Sequence, residues 1–324
     1  MSPSSLRRSG AVALLLALAA LLSAGPAGAQ RLQGRVLRGD RPVPGVPVEL
    51  HRVTRAASGV VQQGVSGADG SFTFTLPPPD SSGFTVLFAT AYHQGVRYFG
   101  TPLHSSESLA GYSVQVYDTV TVARGAAPVR VSRRDVIVFP DADGGAEVDE
   151  IVQVQNVGDR TVVGDGGMPV WEFLLPDSAG AFEVGDGQIS PQSVKRMGNR
   201  VLVSGPLPPG RHELFLRYRL PRRAKRTTFP VAAATDSMNL FVRQPAVEAR
   251  VEGLGGGQVV EAEKEKFLRF SGAALDGKRP VVLALRNPSA PPVDPRAAAA
   301  GVTGLLLAVG AVVAARRRQG AGSR

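Results

Sequence analysis

The chain of 324 residues contains no cysteine. That absence rules out disulfide staples, thiol catalysis, cysteine-built metal sites and a lipid-modified cysteine. Apolar burial has to hold the fold, which a chain of this length can supply. Histidine is scarce, with four in all, and there is one tryptophan. The glycine runs at 164–167 and 253–257 do not continue into Gly-Lys-Ser/Thr and open no periodic helix, so neither is a phosphate cradle. Gly64-Val65-Ser66-Gly67 breaks off at Ala68, short of a Gly-x-Ser-x-Gly nucleophile elbow. Between Arg31 and Arg124 no stretch keeps a helical apolar period.

Long hydrophobic runs are confined to the two ends. Residues 11–24 follow Arg7 and Arg8 and lead to Ala27-Gly28-Ala29. This is the three-part layout of a secretory signal covering residues 1–29, with cleavage expected before Gln30. Residues 297–315 carry no charge, and Arg316-Arg317-Arg318 follow at once. At 1.5 Å per residue that segment spans about 28 Å, close to the thickness of a hydrocarbon core. The arginines of the tail, 316–324, are expected to hold the C-terminus in the cytoplasm. No Leu-Pro-x-Thr-Gly motif precedes the span, which argues against sortase attachment.

A formal charge of +10 would point toward nucleic acid if it were clustered on a folded domain. It is not. Arg7, Arg8, Arg316, Arg317, Arg318 and Arg324 lie in the two ends, where there is no acid. Removing those six from 37 basic residues leaves 31 against 27 acidic ones. Nucleic acid is therefore not an expected partner, whereas the membrane is.

The interior reads as short strands between turns. Leu32–Leu37, Val46–Leu50, Ser71–Leu76, Phe84–Tyr92, Val96–Phe99 and Tyr112–Tyr117 are expected strands. Asp69-Gly70 and His93-Gln94-Gly95 are expected reversals. Gly34-x-Val36, the stretch Pro42-Val43-Pro44-Gly45-Val46-Pro47-Val48-Glu49-Leu50, and Ala68-Asp69-Gly70-Ser71-Phe72-Thr73-Phe74 resemble the carboxypeptidase regulatory-like domain. The resemblance covers residues 31–122 and implies a small transthyretin-like β-sandwich for residues 30–125. It implies little about activity, since that module accompanies many functions. The stretches Gln94–Phe99 and Val116–Thr119 also resemble bacterial envelope proteins bearing the module.

Residues 126–245 read as a second, immunoglobulin-like sandwich. Its expected strands include Asp135–Phe139 and Glu147–Val157, and the alternations Trp171, Phe173, Leu175 and Leu214, Leu216, Tyr218, Leu220 mark core faces. The tryptophan is expected in that core. Residues 246–286 hold three further expected strands (246–252, 265–270, 280–285), either completing that sandwich or forming a small membrane-proximal unit. Residues 287–296, rich in proline, read as a stiff spacer.

Four constellations invite chemistry. His104-x-x-Glu107 with His212 has the ligand types of a zinc peptidase, but residues 130–285 lack the βα alternation such a catalytic body needs. The acidic run Asp141–Glu150 offers oxygens for calcium, yet an EF-hand loop would need Gly and Glu where Ala146 and Val152 stand. Arg217, Arg219, Arg222, Arg223, Lys225 and Arg226 form the densest charge feature. They are a candidate patch for an acidic partner or lipid head groups, or else a cationic guard against strand-to-strand aggregation. Tyr92, Tyr98 and Phe99 are candidate sugar-stacking rings, or else cross-strand packing.

The expectation is an all-β chain of two consecutive sandwiches with a C-terminal transmembrane helix, placed in a bacterial cell membrane with its bulk periplasmic or extracellular. It is expected to be non-enzymatic, with no cofactor or metal. The role expected is scaffold or accessory to another envelope protein or a glycan. A surface carbohydrate-binding module is the alternative, and a zinc-dependent peptidase the remote one.

Overall fold

The computed structural model describes residues 30–78, 84–104, 111–122, 128–141, 143–222, 226–231, 235–244, 248–262 and 264–286. The signal, spacer, span and tail expected at 1–29, 287–296, 297–315 and 316–324 lie outside the described residues. Among the described residues no helix is long and apolar enough to cross a membrane. The chain is all-β and divides into two compact units, residues 1–118 and 119–324.

The first unit comprises β1 (Arg31–Arg38), β2 (Arg41–Pro42), β3 (Pro47–Thr54), β4 (Ser58–Val65), β5 (Ser71–Thr75), β6 (Thr85–His93), β7 (Val96–Phe99), β8 (Leu103–His104) and β9 (Tyr112–Gln115). One sheet is built on β1, antiparallel to β2 and β5 and parallel to β9. The other has the order β4-β3-β6-β7, with β8 also on β6. Period-two alternation gives β1, β5 and β7 one buried face each. Leu32, Val36, Phe72, Phe74 and Val114 come from the first sheet, and Val48, Leu50, Ala89, Ala91, Val96 and Tyr98 from the second. The Tyr112 hydroxyl accepts a hydrogen bond from the Ala89 backbone N–H at 2.9 Å, linking the sheets. Gly34 faces Phe72 across the β1–β5 pair, and the Phe72 ring occupies the place where a Cβ would stand. That is why the Gly-x-Val pattern needs its glycine.

The second unit comprises β10 (Thr119–Val122), β11 (Val129–Pro140), β12 (Ala146–Asn156), β13 (Thr161–Gly164), β14 (Trp171–Leu174), β15 (Phe182–Val184), β16 (Val194–Met197), β17 (Arg200–Val203) and β18 (Gly210–Leu220). It continues with β19 (Arg226–Phe229), β20 (Thr235–Arg243), β21 (Glu248–Glu252), β22 (Gly255–Ala262), β23 (Glu265–Leu275) and β24 (Val281–Arg286). Seven strands form its main sheet, β15-β18-β12-β11-β20-β23-β22. Smaller sheets β14-β17-β16 and β19-β24-β21 and the parallel pair β10-β13 complete it. One core joins them: Val136, Val148, Leu214, Leu216, Tyr218 and Leu240 from the main sheet meet Phe173, Val201, Val203, Phe229 and Leu283 from the smaller ones. Residues 248–286 form four strands, not three, and they extend sheets begun by β19 and β20. Trp171 is half-buried at the margin of the core, while Phe173 and Leu175 are fully inside.

Candidate binding surfaces

In the first unit, β6 and β7 form a hairpin turned by Gln94 and Gly95, both at positive φ (47° and 78°). That backbone matches the twist of the flanking strands, and glycine adopts it without a Cβ clash. The resulting register sets Tyr92 opposite Arg97, Ala91 opposite Tyr98, and Thr90 opposite Phe99. Facing pairs share a side of the sheet. Tyr92, Arg97 and Phe99 therefore point outward, with Tyr92 51% and Phe99 67% exposed. Tyr98 points inward, 4% exposed, and its hydroxyl donates to the Tyr117 carbonyl at 2.9 Å. The expectation of sugar stacking at Tyr98 is thereby corrected: its side chain belongs to the core.

Sequence reasoning missed the rest of this outward face. Glu49 and His51 of β3 lie opposite Thr90 and Phe88. The His51 ring stacks on Phe88 with centroids 5.0 Å apart and planes 2° from parallel, and Phe88 lies 6.1 Å from Phe99. The Gln63 side-chain amide donates to Glu49 Oε1 at 3.0 Å. His51 Nε2 stands 3.3 Å and an Arg97 nitrogen 3.7 Å from Glu49 Oε2. Val60 and Val65 of β4, 44% and 62% exposed, extend the same face. The surface combines ring faces with a carboxylate, a guanidinium and an amide. Such a set can grip a sugar ring, or an apolar side chain beside a polar one. The alternation of β6 and β7 announced the outward rings, but nothing in the sequence showed that β3 would lie beside them.

The basic run behaves differently from a free cationic patch. Arg217 and Arg219 do point outward from β18, but the β12–β18 register sets Asp149 opposite Arg217 and Glu147 opposite Arg219. Arg217 donates to both Asp149 oxygens, at 2.6 and 2.8 Å, and lies 3.5 Å from Glu147. The Asp149 hydrogen bond is the largest cause holding its guanidinium protonated even more firmly than usual. Arg219 reaches Asp141 at 2.5 Å and Asp143 at 3.4 Å, and Arg226 pairs with Glu252 at 2.9 Å. Arg222 is exposed; Arg223 and Lys225 lie outside the described residues. At Arg217, Arg219 and Arg226 the expected basic patch is therefore a set of ion pairs: the register of β12 with β18 supplies Asp149 to Arg217, the turn before β12 supplies Asp141 and Asp143 to Arg219, and β21 supplies Glu252 to Arg226. Similar pairing continues along the main sheet, where Arg133 reaches Asp135 at 2.7 Å and Asn239 donates to Asp135 at 2.7 Å. Burial pushes the Asp135 carboxyl up, against the pull of Arg133.

The acidic turn is accounted for by the same contacts. Asp143 accepts the Gly145 N–H at 3.0 Å, which together with Arg219 holds its carboxyl below the usual range. Asp141 faces Arg219, and its carboxyl is pushed up by burial. His212 Nε2 is 2.8 Å from the Pro208 carbonyl oxygen. His104 ends β8, and Glu107 lies outside the described residues. Among the described residues no group of three or more His, Asp or Glu side chains could hold a metal.

The second unit buries one more charged group that the sequence reading passed over. Arg134, 1% exposed, donates from Nε to Glu150 Oε1 at 2.6 Å, and Tyr218 donates to Glu150 Oε2 at 2.8 Å. Arg134 also bonds the Pro230 carbonyl, and its guanidinium lies 4.6 Å over the Phe173 ring and 5.9 Å from that of Phe229. Burial, reinforced by the Glu150 charge, pushes the Tyr218 hydroxyl well above its ordinary range. The group is enclosed by the core, with Arg134 and Glu150 each 1% exposed.

No family model matches the sequence, and no curated protein is significantly similar to it. Among solved structures, an M1 zinc metallopeptidase from Deinococcus radiodurans is similar at 14% identity, with a TM-score of 0.29, over 49% of this chain and 43% of that one. Leukotriene A4 hydrolase from Saccharomyces cerevisiae is similar at 11% identity, with a TM-score of 0.32, over 60% of this chain and 33% of that one. Each likeness takes in less than half of the other protein's length, and at these scores it says nothing of activity.

Proposed function

We propose that this chain is a non-enzymatic, membrane-anchored envelope protein that holds two β-sandwiches, one transthyretin-like and one immunoglobulin-like, outside the cytoplasm. In this reading residues 1–29 direct export, 287–296 space the folded units from the lipid, and 297–315 anchor them. The first unit acts as a docking module for another envelope component. The observation that carries this is the outward face of its five-stranded sheet, where Tyr92, Phe99, Val60 and Val65 stand exposed around Glu49 and Arg97. Exposed aromatic and apolar groups gathered on one side are a feature of interaction surfaces. Proximity labelling from the exported side tests it. A defined set of envelope neighbours, reduced by Phe99→Ala together with Tyr92→Ala, supports the reading; an unchanged set contradicts it.

A glycan is the second reading, and one observation favours it. Rings and hydrogen-bonding groups lie together on this face, the stacked His51–Phe88 pair and the tilted Phe99 ring being on the same side as Glu49 and Gln63. Saturable binding on a glycan array, lost in the same double variant, would support it over a protein partner.

A further inference from the structure

The strand β4 has an edge that soluble proteins normally protect. Among the described residues it pairs with β3 alone. All its residues except Gln62 are exposed. Its sequence, Ser-Gly-Val-Val-Gln-Gln-Gly-Val, holds no charge and no proline. An edge strand is usually blunted by lysine, proline, a bulge or a covering segment. Among the described residues the one such feature is a bulge at Val61, where the β3–β4 register shifts. The Gln62 side chain is already committed, accepting a hydrogen bond from the Thr75 backbone N–H at 3.1 Å. It seals the seam toward β5 without using the β4 main chain.

We infer that β4 pairs antiparallel with β4 of a second copy, joining two five-stranded sheets into one. The strand is suited to itself. A two-fold axis between Val61 and Gln62 sets Ser58 opposite Val65, Gly59 opposite Gly64 and Val60 opposite Gln63 of the second copy. Val60 and Gln63 both lie on the outward side, being opposite His51 and Glu49 on β3. Gly59 is opposite Arg52 and Gly64 opposite Val48, on the other side. Gly64 sits 3.6 Å from the Phe74 ring for an added Cβ, so it lies on the core side. Strand faces alternate with period two, so positions 60 and 63 would ordinarily point to opposite sides. The extra residue Val61 brings the two halves into phase, so the residues that face each other about this axis share a side.

Charge does not oppose the pairing, because identical edges bring like charges together only where there are charges, and β4 has none. The contact is isologous, so it closes at two chains and does not propagate. A two-fold axis perpendicular to the sheet leaves both outward faces on the same side. The Tyr92 and Phe99 surfaces of two chains then form one continuous surface, which gives a partner two points of attachment. Self-pairing does not depend on the docking reading and is tested separately from it.

The full-length chain purified in detergent micelles should show the protein mass of a dimer by light scattering. Val61→Lys with Gln63→Lys should halve that mass. Because the chain lacks cysteine, Val61→Cys supplies a second test: mild oxidation should link two chains through position 61. Met197→Cys, 66% exposed in the second unit, should give no link. A monomeric wild-type chain, a double-lysine variant that stays dimeric, or equal linkage at 61 and 197 would each overturn the inference.

Discussion

Arg134 is the residue on which the second unit is most exposed to damage. Removing one member of a buried ion pair leaves the other charged and unsolvated, which costs about 3–5 kcal/mol. Arg134→Met should destabilise the unit by that order in urea denaturation. The triple variant Arg134→Met, Glu150→Leu, Tyr218→Phe should cost less than the single one, since it leaves no orphaned charge. Tyr218 adds a pH dependence. Its folded pKa lies above that of a free phenol, so its contribution is complete below pH ~10 and is lost as the pH climbs toward the folded value. Wild-type stability should therefore fall in strong alkali, and Tyr218→Phe should flatten that fall while costing about 1–3 kcal/mol at neutral pH through the unpaired Glu150 oxygen. At Tyr98 the structure reverses the sequence expectation. Tyr98→Phe should lose only a hydrogen bond, about 0.5–1.5 kcal/mol, and should leave ligand binding unchanged.

At the scale of strands and sheets, the period-two runs of β1, β5, β7 and β18 were legible because one face of each is buried more deeply than the other. β4 was not legible: it is exposed on both faces, so no alternation of hydrophobicity marks it. β11 hid its most unusual residue for the opposite reason. Seven positions from Arg134 to Pro140 are buried in succession, so Arg134 looks like part of the turn-side charge beside Arg133. The outward face of the first unit was half visible. Tyr92 and Phe99 came from the hairpin, whereas Glu49, His51 and Gln63 reach it through sheet order. The basic run was misleading because its compensating acids are distant in sequence and meet it only in the fold, from β12, from the turn before β12 and from β21. Phe99→Ala should leave unfolding within about 0.5 kcal/mol of wild type, as exposed positions do, while weakening partner capture several-fold.

For the molecule as a whole, the two units stand as separate all-β bodies, and each has its own core. The fold class was readable from turns, strand-length runs and missing helical periods. The role was not, because the residues of the proposed docking face come from β3, β4, β6 and β7 together. What the ends contribute rests on their hydropathy and flanking arginines. The most direct test is intact mass measurement of the chain recovered from the membrane fraction, combined with protease access from the exported side. The account predicts a chain beginning at Gln30, retained in the membrane through residues 297–315 and cleavable only outside the cytoplasm. A chain with residues 1–29 intact, recovered from the cytosol, would contradict it.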